Sequence, residues 1–322
     1  MKLTALLAAA AALALAVGCG SGEDRPERGA TLVLDFAPNA VHAGIYVAKA
    51  HGFDQAEGVD LHVRVPSAST DGLKLLLAQR ADFAVLDIHD LALARQQGRD
   101  VVGILPLVQR PLAAVLAQPG VRTPRDLQGR SAGVTGVPSD TAVLHSIVKG
   151  AGGDPNRVRE VTIGFNAVQA LLGGKVAGAT AFWNVEGVAL RARRPATHEF
   201  RVDDYGAPPY PELVVCATRQ ELDEQPALAR ATVAALVRGY QETLDDPDSA
   251  VEDELQANPD LERAQLQAQL DAVSPFVGNA PRFGALQPQV LNAWAQWEAR
   301  FEIVRRPPVA AQTFDASFLP KS

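Results

Sequence analysis

From residue 31 onward the spacing of apolar positions changes repeatedly between the periods of strand and helix. Thr31 to Phe36 is β-rich, whereas Val41, Ile45 and Ala48 recur at helical spacing until Gly52 stops the run. Leu61, Val63 and Val65 alternate with His62 and Arg64, as a half-buried strand requires. Leu73, Leu76 and Leu77 then mark an amphipathic helix opened by Ser69-Thr70-Asp71, whose side-chain oxygens suit the first free amides. Asp82 to Leu86 is a short strand, Leu91 and Ala94 sit on a further helix, and Val101 to Val108 is again a strand. The alternation predicts an α/β fold with a mostly parallel sheet flanked by helices.

A second unit of the same kind follows the turn at Pro119-Gly120. Thr123 to Leu127 is a short capped helix, Gly129 to Val134 a strand, and Thr141 to Gly150 a helix entered through Gly136-Val137-Pro138-Ser139-Asp140. Val158 to Ile163 and Ala177 to Phe182 are strands, with Val168, Leu171 and Leu172 on the helix between them. Pro208-Pro209-Tyr210-Pro211 interrupts the pattern, Leu213 to Ala217 forms a strand that returns to the first unit, and helices occupy 227–244, 251–258, 261–273 and 287–301. The expected architecture is a two-lobed clamshell. Lobe 1 comprises 30–111 and 218–322, lobe 2 comprises 112–217, and hinge crossings lie near 112–116 and 213–217. Ligands of such sheets sit beyond the carboxyl ends of the strands.

The amino terminus bears on the compartment. Lys2 precedes an apolar run from Leu3 to Val17, the length of a signal-peptide core and short of the ~20 residues a spanning helix needs. Ala16-Val17-Gly18-Cys19 resembles a bacterial lipobox, so residues 1–18 are expected to be removed and Cys19 to carry the lipid, with 19–29 as a tether. The other cysteine, Cys216, lies in an apolar stretch and reads as a small buried hydrophobe. Two cysteines so far apart do not make a zinc site of the usual spacing, and neither a metal nor a cofactor is expected. A net charge of −7 without a basic stripe argues against nucleic acid as partner. An apolar content of 47% argues against disorder.

The densest group of special side chains is Asp35-Phe36-Ala37-Pro38-Asn39 followed by His42 and Tyr46. Pro38 keeps Ala37 out of the helical region, Asn39 stands where a cap is wanted, and His42 and Tyr46 share a helix face. Asp87 closes a strand and reads as the cap of the next helix. The loop holding Gly136 and Ser139 offers free amides at a helix start, but Pro138 removes one of them and the loop carries no Lys or Arg. No G-x-S-x-G, H-E-x-x-H or G-x-x-x-x-G-K stretch is present.

Asp35 to Asn39 with His42 and Gly44-Ile45-Tyr46 resembles the D-W-x-P-N-x-x-H-x-G-x-Y opening of solute-binding proteins for thiamine pyrimidine precursors, a group related to the yeast-type pyrimidine synthases. Ala181-Phe182-Trp183-Asn184-Val185-Glu186-Gly187 and Gly133 to Asp140 resemble two further stretches of that family, while Phe36 replaces its usual Trp. The resemblance implies a type II periplasmic-binding-protein-like clamshell. It also implies a lipoprotein outside the cytoplasmic membrane, partnered by an ABC permease and ATPase, with a monomer expected. Its ligand set would be Asp35, Phe36, Asn39, His42, Tyr46, Gly136, Ser139, Trp183 and Glu186. Trp183 and Tyr46 would stack on a flat ring, and Glu186 would accept from an exocyclic amine. Riboflavin and an alkylsulfonate are alternative cargoes, and a pyrimidine synthase is an alternative activity. The synthase would need an iron-handling cysteine cluster that Cys216 alone does not supply.

Overall fold

The computed structural model describes residues 28–68, 70–278 and 283–321. The expected export signal and Cys19 lie outside the described residues. Among the described residues ten strands form two sheets: β1 Arg28–Val33, β2 Val59–Arg64, β3 Phe83–Asp87, β4 Val101–Pro106, β5 Ala113–Ala117, β6 Ser131–Val134, β7 Arg159–Thr162, β8 Gly178–Phe182, β9 His198–Arg201 and β10 Leu213–Thr218. The first sheet runs β2-β1-β3-β10-β4 and the second β7-β6-β8-β5-β9. The tether is thus shorter than the spacing predicts, because Arg28 and Gly29 already pair with Val59 and Asp60.

In each sheet one strand is reversed, and it is the strand that arrives from the other lobe. β10 pairs antiparallel with β3 and β4, and β5 pairs antiparallel with β8 and β9, while β1/β2, β1/β3, β6/β7 and β6/β8 are parallel. The segments expected as hinge crossings are therefore strands inside the sheets. The chain passes between lobes in the short stretches just before Ala113 and Leu213. The physical reason is that both segments are wholly apolar, and a connection exposed between lobes could not be.

Both faces of the first sheet are covered, so its strands alternate between two cores rather than between core and water. Leu32, Phe83, Val85, Leu213 and Val215 pack on one side, and Val33, Ala84, Leu86, Val214 and Cys216 on the other. Cys216 is fully buried, and burial pushes its thiol well above the usual range. Edge strand β2 keeps His62 and Arg64 outward, and Val65 stands exposed beyond its end.

The helix Ala43–Ala50 crosses the long helix Pro226–Asp245 at two glycines. A Cβ on Gly239 would stand 2.0 Å from the Gly44 carbonyl oxygen, and one on Gly44 would stand 2.4 Å from the Tyr240 ring. The Tyr240 hydroxyl donates to the Val41 carbonyl at 2.6 Å. The crossing pins the start of the first helix, and through it the loop that leaves β1. Gly239→Ala must separate the helices, and overpacking of this kind costs about 1–3 kcal/mol. Urea unfolding should show a midpoint lowered accordingly, and an unchanged midpoint would mean that the crossing bears no strain.

Candidate ligand cleft

β1 ends at Val33, and the Leu34 amide makes one last bond to Arg64 O at 2.9 Å. Asp35 and Phe36 therefore project beyond the carboxyl end of the strand, into the space between the sheets. β3 delivers Asp87 in the same way, β6 delivers Thr135, and β7 is followed by Gly164 at φ +55° and then Phe165. The cleft they enclose is tight, with a cavity volume of about 100 Å³, well under the ordinary range for a small-molecule site. Phe36 from one lobe meets Phe165 from the other edge to face, with ring centroids 4.5 Å apart, and Phe182 adds a third ring to the walls.

Five carboxylates line this space: Asp35, Asp87, Asp90, Asp140 and Glu186. No Lys, Arg or His stands among the lining residues. Burial pushes Glu186 up to about 7, against the opposing pull of backbone amides that include Phe182 N at 3.2 Å. Burial likewise raises Asp90 to about 6, partly countered by the Ser139 hydroxyl, which donates to it across the lobes. Asp140 is raised by burial too, although Thr135 N donates to it at 2.6 Å. Such a wall offers acceptors and negative charge to whatever enters, and apolar ring faces between them.

Asp35, Phe36, Ser139 and Glu186 of the residues expected from sequence line the cleft. His42 stands one layer behind. It is fully buried, its Nδ1 accepts from the Asn39 amide at 3.3 Å, and its Nε2 then carries the proton to Asp35 Oδ1 at 2.8 Å. Asn39 caps the 3-10 turn Ala40–His42 through Val41 N, so it too positions the loop rather than facing the ligand space. Gly136 holds φ +110°, a turn that a side chain would strain, without itself joining the walls.

Tyr46 and Trp183 are placed differently from the expectation. Tyr46 points away from the cleft into a surface groove beside Lys49 and Asp253, with its hydroxyl near Asn258 Oδ1 at 3.5 Å. The four-residue spacing that suggested a shared face with His42 fails because the chain around His42 is a 3-10 turn, and the α-helix begins only at Ala43. Trp183 is buried beneath the crossings. Its indole N–H donates to Pro111 O at 2.9 Å and the Arg201 guanidinium covers its face at 4.0 Å. The ring surfaces toward a ligand are Phe36, Phe165 and Phe182 instead.

Asp87, Asp90, Asp140 and Phe165 are further lining residues. Asp87 does cap the helix Ile88–Gln96, accepting from His89 N at 2.7 Å, and it faces the cleft as well. Asp87 ends a strand and Asp90 and Phe165 each stand three residues past one, which is the signal that points to them; Asp140 lies further on, in the helix Pro138–Gly150.

The raised Glu186 carboxyl has a consequence for stability. Between its ordinary value near 4.5 and about 7 the folded state binds the proton that the unfolded state has released. Stability from this group is therefore full below 4.5 and is lost as pH rises through 7. Glu186→Gln removes that loss, which is on the order of 2 kcal/mol after allowance for partial exposure. Thermal melts of the ligand-free protein should fall less steeply from pH 5 to pH 8 in the variant than in the wild type, and identical slopes would refute the assignment.

Comparison with known proteins agrees with this architecture. Residues 39–250 match the family described as NMT1/THI5 like. The chain is 29% identical over 253 residues to the formylaminopyrimidine-binding protein of Halalkalibacterium halodurans, covering 78% of this chain and 77% of that protein. It is 24% identical over 293 residues to the 4-amino-5-hydroxymethyl-2-methylpyrimidine phosphate synthase of Legionella pneumophila, covering 89% of each. The alkanesulfonate-binding protein SsuA of Xanthomonas axonopodis pv. citri shares the fold, with a TM-score of 0.69 at 14% identity over 92% of this chain and 99% of that one. Two five-stranded sheets with a reversed strand in each, facing one another across a cleft, make this a periplasmic-binding-protein fold, and the chain belongs to the NMT1/THI5-like family.

Proposed function

We propose that the protein is the extracytoplasmic solute-binding component of an ABC importer and that its cargo is a thiamine pyrimidine precursor, a formylamino- or hydroxymethyl-aminopyrimidine. The observation that carries this reading is the composition of the cleft, in which five carboxylates and three phenyl rings meet with no cation among the lining residues. An aminopyrimidine presents N–H donors at its edge and a flat face, and it gains charge when a ring nitrogen is protonated. Glu186 accepts from the exocyclic amine while Phe36 and Phe165 part to take the ring between them. The relative that binds formylaminopyrimidine supports the same cargo.

The acidic walls weigh against a sulfonate, despite the shared fold. Each ionised carboxylate about 4 Å from an anionic headgroup opposes it by about 4 kcal/mol at an effective dielectric of 20, and the lining supplies no Arg or Lys in compensation. The composition also favours capture over synthesis. Among the lining residues there is no Lys to form a Schiff base and no Cys or His to react. Lys49 pairs with Asp54 at 3.1 Å and borders the separate groove beside Tyr46.

We further propose that lipidation of Cys19 holds the protein at the outer face of the cell membrane, where it meets the permease as a monomer. Among the described residues no helix is long and apolar enough to cross a membrane. Cys19→Ala should move the protein from the detergent phase to the aqueous phase in detergent partitioning, and persistence in the detergent phase would overturn the anchor.

Thermal shift against aminopyrimidines, riboflavin and alkanesulfonates tests the cargo. Aminopyrimidine at a hundredfold excess over Kd should stabilise the protein by about 2.7 kcal/mol. A response to the sulfonate alone would sink the assignment. Glu186→Gln should weaken aminopyrimidine binding by about 10- to 100-fold, the worth of one hydrogen bond to a charged group.

A further inference from the structure

Directly beneath Asp87 lies a second polar cluster that ligand capture does not use. His89, Glu212 and Glu298 are each fully buried there. Glu298, from the helix Pro288–Arg300, pairs with Nδ1 of His89, so that Nε2 is the nitrogen a metal ion would take in exchange for a proton. Nε2 lies 3.9 Å from Glu212 Oε1 and 2.9 Å from the Tyr210 hydroxyl. Donor atoms of Asp87, His89 and Glu212 all lie within 4.8 Å of one another.

Three features make this more than a group of acids. Glu212 Oε1 takes no amide or hydroxyl donor although the side chain is wholly buried; Oε2 takes the amides of Leu112 and Ala113, and the Asp87 carboxyl lies beside it. An imidazole oriented from behind by a carboxylate is the arrangement found around metal-ligating histidines. Three carboxylates, those of Asp87, Glu212 and Glu298, face one imidazole, and among the described residues no Lys or Arg forms an ion pair with any of them. A buried excess of negative charge requires protons or a cation.

We propose that Asp87, His89 and Glu212 form a binding site for one divalent transition-metal ion beneath the floor of the cleft. One imidazole and two carboxylates, with the Tyr210 oxygen beside them, suit zinc, cobalt or manganese; calcium wants six to eight oxygens. The ion reaches the site through the cleft, since Asp87 lines both. Such an ion braces the crossing strands, because Glu212 holds the amides that open β5. The spacing of residues 87, 89 and 212 carries no sequence signature of a metal site, which is why none was expected.

The test is a titration of chelator-treated full-length protein, purified in detergent, with cobalt followed by visible absorption. One equivalent should give a saturable band that zinc displaces. His89→Gln and Glu212→Gln should weaken cobalt binding at least about 100-fold and Glu298→Gln about 10- to 100-fold, while His62→Gln, at the exposed pair with Asp60, should change nothing. Folding of each variant is checked by circular dichroism, and Glu298→Gln, which spares all three ligands, serves if the others unfold. Absence of a saturable band overturns the proposal. So does a band that survives in both folded ligand variants, or a wild type that ignores cobalt while Glu212→Gln melts higher, the mark of two carboxyls sharing a proton.

Discussion

One carboxylate holds together the place where the two lobes exchange chain. Glu212 closes the return crossing, and its Oε2 takes the amides of Leu112 and Ala113, which open the outward crossing. Its own backbone carbonyl accepts from Ile88 N at 2.9 Å, and the Leu107 amide bonds to Leu213 O at 2.8 Å. On the other side Trp183 ties Pro111 and Leu112 through its indole and its amide. Hydrogen bonds to a charged acceptor contribute about 1.5–3 kcal/mol each and leave a costly orphan when broken. The two crossings are therefore tied to one another as one bundle.

The same constraint shapes the cleft. Because the sheets present their carboxyl ends to each other, the side chains that follow the strands converge whether or not their charges agree. Asp87 and Asp35 come from one lobe, Asp140 and Glu186 from the other. Their repulsion and loss of hydration hold Glu186 and Asp90 partly protonated near neutrality. Ser139 and Thr135 satisfy individual oxygens without neutralising the set. A site of this kind is preorganised toward hydrogen-bond donors and stays unfavourable until one arrives.

Periodicity was sufficient for the order of elements, and it was weaker at ends and at depth. The final helices fall within a few residues of their expected bounds, as for 227–244 against Pro226–Asp245, since apolar repeats of that length have few competing readings. Short β9 was missed because His198-Glu199-Phe200-Arg201 buries only Phe200 and shows little alternation. The site was legible where a residue follows a strand, as with Asp35, Phe36 and Glu186. It was misread where resemblance outran geometry, since Tyr46 and Trp183 serve packing on the far side of the loop and beneath the crossings. His42 lies between these cases: its partner Asp35 faces the ligand space, and sequence spacing does not distinguish the ligand from its support.

The insertion of β10 between β3 and β4 also governs the order in which the molecule can be made. Until residue 218 is available, β4 has no neighbour in its sheet, and the first lobe, although begun at Arg28, stays an open three-stranded fragment with exposed edges. The second lobe, whose strands 113–201 are contiguous, has no such wait. Contacts of long sequence separation form slowly. A chain emerging amino end first thus completes its second lobe before its first.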